Sequence, residues 1–249
     1  MNLAIASAEG RILLFLADDE LASPRLVQHH AEAQERHGEQ SCLMGAIHVH
    51  PQVPAGSLTR LSLEAPAAIH NGGEAPQFLD WQASNISLPR RLLGSLGVFT
   101  ERPEFGAVEH LELAWRLQRG GVECLCAEDT RSYVWQPLHF EAERARYYNI
   151  GYGLYHLLRL THSRSILQRY RLRRTRLELV LARFLTPRYV RACRRQETEN
   201  TLFVASLYRR ILSHDRTCGF QDALGGHPRR PPASPEHNAA PAALPVQAR

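Results

Sequence analysis

The chain has 249 residues, of which 44% are hydrophobic and 22% charged, an ordinary globular composition that fits one large domain with an appendage. All 30 basic residues are Arg, and Lys is absent. This excludes functions that depend on a Lys, among them Schiff-base catalysis, P-loop nucleotide binding and protein kinase activity.

Charge is distributed unevenly along the chain. Residues 1–143 hold 10 Arg against 19 acidic residues, a net charge of −9, whereas residues 144–216 hold 17 Arg against 4 acidic residues, a net charge of +13. The segment from residue 217 holds 3 Arg against 2 acidic residues. We interpret this pattern as an acidic half that carries a site and a basic half that faces something anionic.

The five cysteines are odd in number and scattered, which predicts free thiols rather than a disulfide framework or a zinc site. The N-terminus has no positive region before its first apolar run, and no apolar stretch reaches the length of a membrane span. We therefore expect a cytoplasmic protein, either soluble or held on the inner face of the membrane.

Short strand and helix patterns alternate in the first part of the chain. Residues 2–8 read as the end of a helix, and the apolar run Ile12–Leu16 predicts a strand buried on both faces. This strand leads into the acidic residues 18–20, at the edge where open α/β sheets bind ligands. A polar helix is predicted from Pro24 to Gly38, and a second strand over Cys42–Val49.

The same alternation continues up to about residue 130. The sequence predicts a short helix from Pro89 to Leu96 that Gly97 closes, and a helix from about Val108 to Arg119. A short strand is predicted over Val122–Ala127. The pattern as a whole predicts an α/β fold.

Long helical patterns with Arg on the polar face follow, at about 141–160, 163–185 and 187–213. Six prolines punctuate the last part of the chain, which we interpret as disordered. The predicted organisation is an α/β domain, a basic helical extension and a disordered Pro/Ala-rich tail, at residues 1–140, 141–216 and 217–249.

Several motifs in the α/β part resemble family 2 glycosyltransferases with the GT-A fold. Asn2-Leu-Ala-Ile-Ala precedes a strand that ends in an Asp cluster, and Ser84-Asn-Ile-Ser-Leu-Pro-Arg90 looks like the acceptor-side strand of that family. Glu109-His-Leu-Glu-Leu-Ala-Trp-Arg116-Leu-x-x-Gly looks like its acidic-pair helix. The resemblance covers about residues 2–140 and implies a Rossmann-like mixed sheet flanked by helices.

The resemblance implies transfer of a sugar from a nucleoside-diphosphate donor to an acceptor hydroxyl, in the synthesis of a cell-surface polysaccharide or glycolipid. A divalent metal, Mg or Mn, neutralises the diphosphate in such enzymes, and a carboxylate takes the acceptor's proton. On this basis the metal side is Asp19 with Asp18. The catalytic, acceptor-side pair is Glu109 with His110, and the substrate-binding candidates are Trp81 and Asn85.

The sequence departs from the family pattern in three places. The first Asp of the Asp-x-Asp motif falls at Ala17, and the expected catalytic Asp is His110. Met1 stands where the family's N-terminal nucleotide-binding half would be ending, so the resemblance implies an N-terminally truncated fold. These departures motivate an alternative: a catalytically inactive remnant that binds an anionic surface or a partner.

Each candidate residue also has a plain structural interpretation. The acidic cluster at 18–20 could be a solvated turn, and Glu109 could simply favour the start of a helix. Glu112 could pair with Arg116 at i,i+4. Trp81 and Asn85 could serve packing and turn formation, and we interpret His48 and His50 as structural.

The arginine-rich helices also leave alternatives open. Their pattern fits an amphipathic helix that docks on an anionic membrane. It also fits a helix that packs on the first domain and keeps its arginine face in solvent. The sequence does not favour nucleic acid as a partner, since no known nucleic-acid-recognition motif and no pattern of stacking aromatics accompanies the arginines.

Overall fold

The computed structural model describes residues 1–53, 56–59, 61, 77–82, 84–135, 138–172, 176–195 and 202–232. Within these ranges the predicted α/β class is confirmed. Five strands form one mixed sheet: β1 (Ile12–Phe15), β2 (Glu20–Ala22), β3 (Ser41–Val49), β4 (Ile86–Pro89) and β5 (Glu123–Val134). Their order is β1-β4-β3-β5-β2, with β3 and β5 parallel and the other neighbours antiparallel.

Strand β1 lies at one edge of this sheet and not in its interior. Of its residues only Leu13 is buried, while the other three are half-buried, because β4 is the one described strand that pairs with it. The prediction of a strand buried on both faces is therefore wrong for β1. A short apolar run does not by itself reveal whether a second neighbour is present.

Strand β5 is longer than predicted because it contains a bulge. Gly45 of β3 pairs with Ala127, and the next residue, Ala46, pairs with Arg131, so that residues 128–130 loop out of the ladder. A Cβ at Gly45 would meet the amide of Asn85 and the backbone of Thr130, so this position needs glycine. Pairing resumes beyond the bulge and continues to Val134.

Four helices accompany the sheet, close to where the sequence predicts them: α1 (Asn2–Ser7), α2 (Leu26–His37), α3 (Arg90–Leu96) and α4 (Glu109–Arg119). Gly97 ends α3 with a φ of +89°, as the prediction of a glycine stop requires. The apolar side of α4 packs into a core with Cys42, Met44 and Cys124. Helix α2 contacts the opposite face of the sheet, where Gln34 reaches Ser87.

The C-terminal part is helical, with bounds that differ from the predicted ones: α5 (Phe140–Thr161), α6 (Ser165–Arg169), α7 (Arg176–Arg195) and α8 (Leu202–Leu224). Pro187 lies inside α7 and does not end it. Helix α8 continues well past residue 217, because Phe220 and Ala223 are buried. Residues 233–249 of the predicted tail lie outside the described ranges.

Two groups of buried side chains hold these layers together. The larger core joins the sheet to α4 and α5 and includes Leu88, Leu113 and Leu154. The smaller core joins the beginning of α5 to α7 and α8 and includes Phe140 and Tyr208, whose rings meet edge to face at 5.1 Å. None of the helices that the structure describes is long and apolar enough to cross a membrane.

Candidate functional site at the carboxyl end of the sheet

The acidic cluster follows β1, and hydrogen bonds connect it and the preceding Ala17 to residues that flank β4 and β5. The backbone N–H of Ala17 donates to Ser84 Oγ at 2.7 Å, and the backbone N–H of Trp135 donates to the carbonyl of Asp19 at 3.0 Å. Asp18 and Asp19 are both exposed. The two carboxylates therefore lie beside the end of β5, at the edge of the sheet where the sequence predicts a site.

Glu20 differs from its two acidic neighbours because it is half-buried. Ser132 Oγ donates to Glu20 Oε2 at 2.7 Å. Burial raises the pKa of Glu20, and hydrogen bonds from Ser132 and Ser84 oppose this rise. Glu20 thus serves to pack β2 against β5, and the exposed pair Asp18 and Asp19 remains available to a ligand.

The two exposed carboxylates fit a metal that is shared with a phosphate ligand. Mg²⁺ is commonly bound by one or two carboxylates together with substrate phosphates and water. Among the described residues, no group of three His, Cys, Asp or Glu side chains is arranged to hold an ion. Ala17 contributes no ligand, so Asp19 and Asp18 are the side chains that would hold the metal.

Glu109 and His110 begin α4, the helix that precedes β5. Helix α4 leads into β5 through a tight turn in which Val122 N–H donates to Leu117 O at 3.0 Å. Helix and strand therefore run antiparallel, so the start of α4 is displaced from this turn in the direction in which β5 runs. Helix α4 also covers the sheet face that carries Cys42 and Met44.

The two candidate bases have pKa shifts in opposite directions. Burial raises the pKa of Glu109, against a smaller opposing effect of the Met1 amino group. Burial, with a contribution from the Arg146 charge, lowers the pKa of His110 to about 4. An imidazole with so low a pKa holds a proton weakly, so Glu109 is the better of the two proton acceptors near neutral pH.

An ion pair within α4 shapes the loop next to this region. Arg116 Nε and Nη2 donate to the two oxygens of Glu112, each at 2.8 Å, and Nη1 and Nη2 also donate to the carbonyls of Leu96 and Val98 at 2.6 and 2.7 Å. The predicted i,i+4 pair is thus confirmed. The hydrogen bonds of Arg116 hold the chain that follows α3. There the ring centroids of Phe99 and Phe15 are 5.5 Å apart.

The predicted substrate contact Asn85 is fully buried, with a left-handed φ of +52°. Its Nδ2 donates to the carbonyls of Ala46 and Thr130 at 3.1 and 2.9 Å, and its Oδ1 accepts from His30 Nε2 at 2.9 Å. Ser87 Oγ lies 2.8 Å from His30 Nδ1. The arrangement resembles a Ser-His-Asp hydrolase triad with Asn in place of Asp, but this Ser is fully buried and the group holds α2 on the sheet.

Trp81 is also buried, at 7% exposure, within the larger core. The structure gives Trp81 and Asn85 packing roles, and their assignment as substrate contacts stays a prediction. Burial also lowers the pKa of His30 inside the Asn85 network, so the folded protein favours a neutral imidazole there.

Four rings that the sequence did not single out as a site gather beside the acidic cluster. They are His48, His50, Tyr133 and Trp135, here called the ring cluster. The centroids of His50 and Trp135 are 4.6 Å apart, and those of Tyr133 lie 6.0 Å from each histidine. The signal in the sequence is the i,i+2 spacing in both strands, which puts each pair on one face.

A groove of about 770 Å³ lies away from this site, between α2 and the bulge of β5. His29, Glu32, Arg36 and Asp129 line it, and none of the predicted site residues does. The predicted residues therefore lie outside this groove.

No family model matches the chain, and no curated protein matches it either. The resemblance to family 2 glycosyltransferases therefore rests on the motifs themselves.

Proposed function

We propose that the protein transfers a sugar from a nucleoside-diphosphate donor to an acceptor hydroxyl, on a sheet of GT-A type, in the synthesis of a cell-surface polysaccharide or glycolipid. Two observations support the proposal: Asp18 and Asp19 are exposed directly after β1, and Glu109, whose pKa is raised, begins the helix that leads into β5. The reaction needs carboxylates that hold a metal against the leaving diphosphate and a carboxylate that deprotonates an alcohol.

Each candidate residue has a separate role in the proposed reaction. Asp19 and Asp18 hold a divalent metal together with the donor diphosphate. The metal, when bound, offsets the negative charge of the leaving group. Glu109 accepts the proton of the acceptor hydroxyl, and its raised pKa makes it a stronger base than an ordinary glutamate. His110 stays neutral near pH 7 and lines the same end of the helix.

The test is release of nucleoside diphosphate by the full chain in the presence of Mg²⁺ or Mn²⁺, with a panel of nucleotide sugars and simple saccharide acceptors. We expect Glu109→Gln to lower turnover by about 10²–10⁴-fold, the range for loss of a general base. Asp19→Asn should raise the metal concentration needed for half-maximal turnover.

Two substitutions of the same chemistry serve as controls. Glu123→Gln changes an exposed glutamate at the opposite end of β5, and Asp129→Asn changes an exposed aspartate in the bulge. Both should leave turnover unchanged. Absence of release with every donor, or equal activity of the wild type and Glu109→Gln, would overturn the proposal.

A second function, binding to an anionic membrane surface, is favoured by the helices α7 and α8. They form an antiparallel hairpin in which Tyr208 Oη donates to the Cys193 carbonyl at 3.4 Å. The hairpin exposes five arginines and a phenylalanine that is 66% exposed: Arg188, Arg191, Arg195, Arg209, Arg210 and Phe203. Arg194, in contrast, pairs with Glu141 at 2.6 Å.

These five arginines have no carboxylate within ion-pair distance among the residues that the structure describes. Basic side chains near an anionic leaflet each contribute about 1 kcal/mol of attraction. The exposed ring of Phe203 can enter the interface beside them. This function requires no catalysis, so it would also suit an inactive remnant of a transferase.

Flotation with vesicles of phosphatidylcholine and phosphatidylglycerol tests the membrane function. The wild type should float with anionic vesicles, stay behind with pure phosphatidylcholine, and be released by salt. The triple variant Arg188→Gln, Arg191→Gln, Arg195→Gln should lose flotation. The matched triple Arg25→Gln, Arg36→Gln, Arg119→Gln removes as much charge outside the hairpin and should keep it. Equal flotation of the two triples contradicts a role for the hairpin.

A further inference from the structure

The ring cluster owes its arrangement to the pairing of β3 with β5. His48 and Tyr133 are direct partners in the parallel ladder, and His50 N–H donates to the carbonyl of Val134 at 3.0 Å. The bulge at 128–130 sets this register, because it shifts β5 before the rings begin. His48 and Tyr133 lie in these strands, and His50 and Trp135 directly follow them.

The rings are available to a ligand. His48 is exposed and the other three are half-buried. Neither core contains any member of the ring cluster. Trp135 meets His50 at 59°, and Tyr133 meets His50 at 83°, so the rings are inclined to one another and do not form a parallel stack.

One ring is fixed in a defined orientation. The backbone N–H of Gln52 donates to His50 Nδ1 at 3.3 Å, so Nδ1 is the acceptor of the neutral imidazole and Nε2 carries the hydrogen. Nε2–H can then donate to a ligand oxygen. Tyr133 adds a hydroxyl that can both donate and accept.

The surroundings favour a polyhydroxylated ligand. The backbone N–H of Trp135 donates to the carbonyl of Asp19, so the acidic cluster lies beside the rings. Carboxylates accept hydrogen bonds from hydroxyl groups. The face of an aromatic ring offers apolar contact area to the C–H face of a sugar ring.

We propose that the ring cluster binds the ring of a neutral sugar, stacked on Trp135 and hydrogen-bonded by His50 and Tyr133. Under the proposed transferase function, on which this last statement rests, the bound sugar is the acceptor whose hydroxyl faces Glu109. The binding itself does not depend on that function, so the two can be tested separately.

The experiment measures binding by saturation-transfer NMR and calorimetry to the full chain without any donor. The probes are a panel of neutral di- and trisaccharides built from hexoses, N-acetylhexosamines and deoxyhexoses. At least one saccharide should bind saturably. Trp135→Ala should weaken that binding about tenfold and Trp135→Phe much less, since the ring contact is worth roughly one factor of ten.

Trp115→Ala is the matched control, since Trp115 is a partly exposed tryptophan on α4 that stacks against Arg119. It should leave saccharide affinity unchanged, and circular dichroism should show both alanine variants folded. Failure of every saccharide to bind, equal affinity of Trp135→Ala and wild type, or tighter binding of nucleosides than of saccharides would overturn the sugar site. Saccharide binding with no nucleoside diphosphate release would leave the site standing and contradict the transferase function.

Discussion

At the scale of single residues, neighbours on α4 respond to burial in opposite ways. A carboxylate and an imidazolium both lose solvation when buried, which raises the pKa of Glu109 and lowers that of His110. The carboxyl thus becomes a stronger base and the imidazole a weaker one. In the proposed transferase, His110 at the position of the expected Asp therefore leaves Glu109 as the base.

The pKa of His110 predicts how stability depends on pH. Burial lowers the pKa of His110 from 6.5 to about 4 in the folded protein. Between pH 6.5 and 4, His110 is therefore protonated in the unfolded chain and neutral in the folded one. Stability should therefore decrease as the pH falls from 6.5 to 4. In His110→Asn this decrease should be smaller, whereas His37→Asn, at an exposed histidine of α2, should match the wild type.

The measurement is the free energy of unfolding in urea at several pH values across this range. His30 and His156 also have lowered pKa values, since burial acts on both, so part of the decrease remains in His110→Asn. A pH dependence identical to that of the wild type would show that His110 is protonated in the folded protein as readily as in the unfolded chain.

At the scale of elements, the sequence correctly predicted the features that depend on interactions between residues close in the chain. Helix α4 and its Glu112–Arg116 pair follow from spacing within one turn, and the stop at Gly97 follows from its left-handed φ. The bulge of β5 was missed because it depends on Asn85 and Gly45, which approach from other strands. The continuation of α8 was missed for the same reason, since its last turns are stabilised by packing.

The same distinction between local and long-range interactions applies to the candidate site. Asp19 and Glu109 could be named from motifs, because each follows or begins an element that the sequence reveals. The ring cluster could not, since His48 and Tyr133 are far apart in the chain and meet only through the β3–β5 register. Asn85 was predicted as a substrate contact from its motif. It is fully buried, and both the nitrogen and the oxygen of its side-chain amide are hydrogen-bonded within the protein.

Two glycines let helices α5 and α8 approach closely. A Cβ at Gly151 would meet the backbone of Arg216, and a Cβ at Gly219 would meet the backbone of Tyr148. The buried pair of Arg144 and Asp215, with Nε and Oδ2 at 2.9 Å, adds a charged contact between the same helices. Backbone contact of this kind explains why α8 extends beyond the predicted end.

At the scale of the whole molecule, α5 connects the two cores. Its first residue, Phe140, belongs to the smaller core, and Leu154 and Leu157 belong to the larger one. The acidic sheet region and the basic helices are therefore joined through one continuous helix. Although their charges differ in sign, the two parts share buried surface, and we expect them to unfold together.

Gly219→Ala tests this coupling, with Gly94→Ala as its control. The new methyl group at 219 would collide with the backbone of α5, and overpacking of this kind costs about 1–3 kcal/mol. Gly94 has open space around its Cβ position within α3, so alanine there should stabilise by roughly 0.5–1 kcal/mol. All three tryptophans, Trp81, Trp115 and Trp135, lie before α5, whereas most of the α-helical residues lie in α5 and the helices after it. Tryptophan fluorescence and far-UV circular dichroism consequently report the two parts separately.

Gly219→Ala should lower the urea midpoint of both signals equally, since a collision between α5 and α8 then weakens the whole fold. A lower midpoint in the dichroism signal alone would mean that the basic helices unfold on their own and that the chain has two independent units.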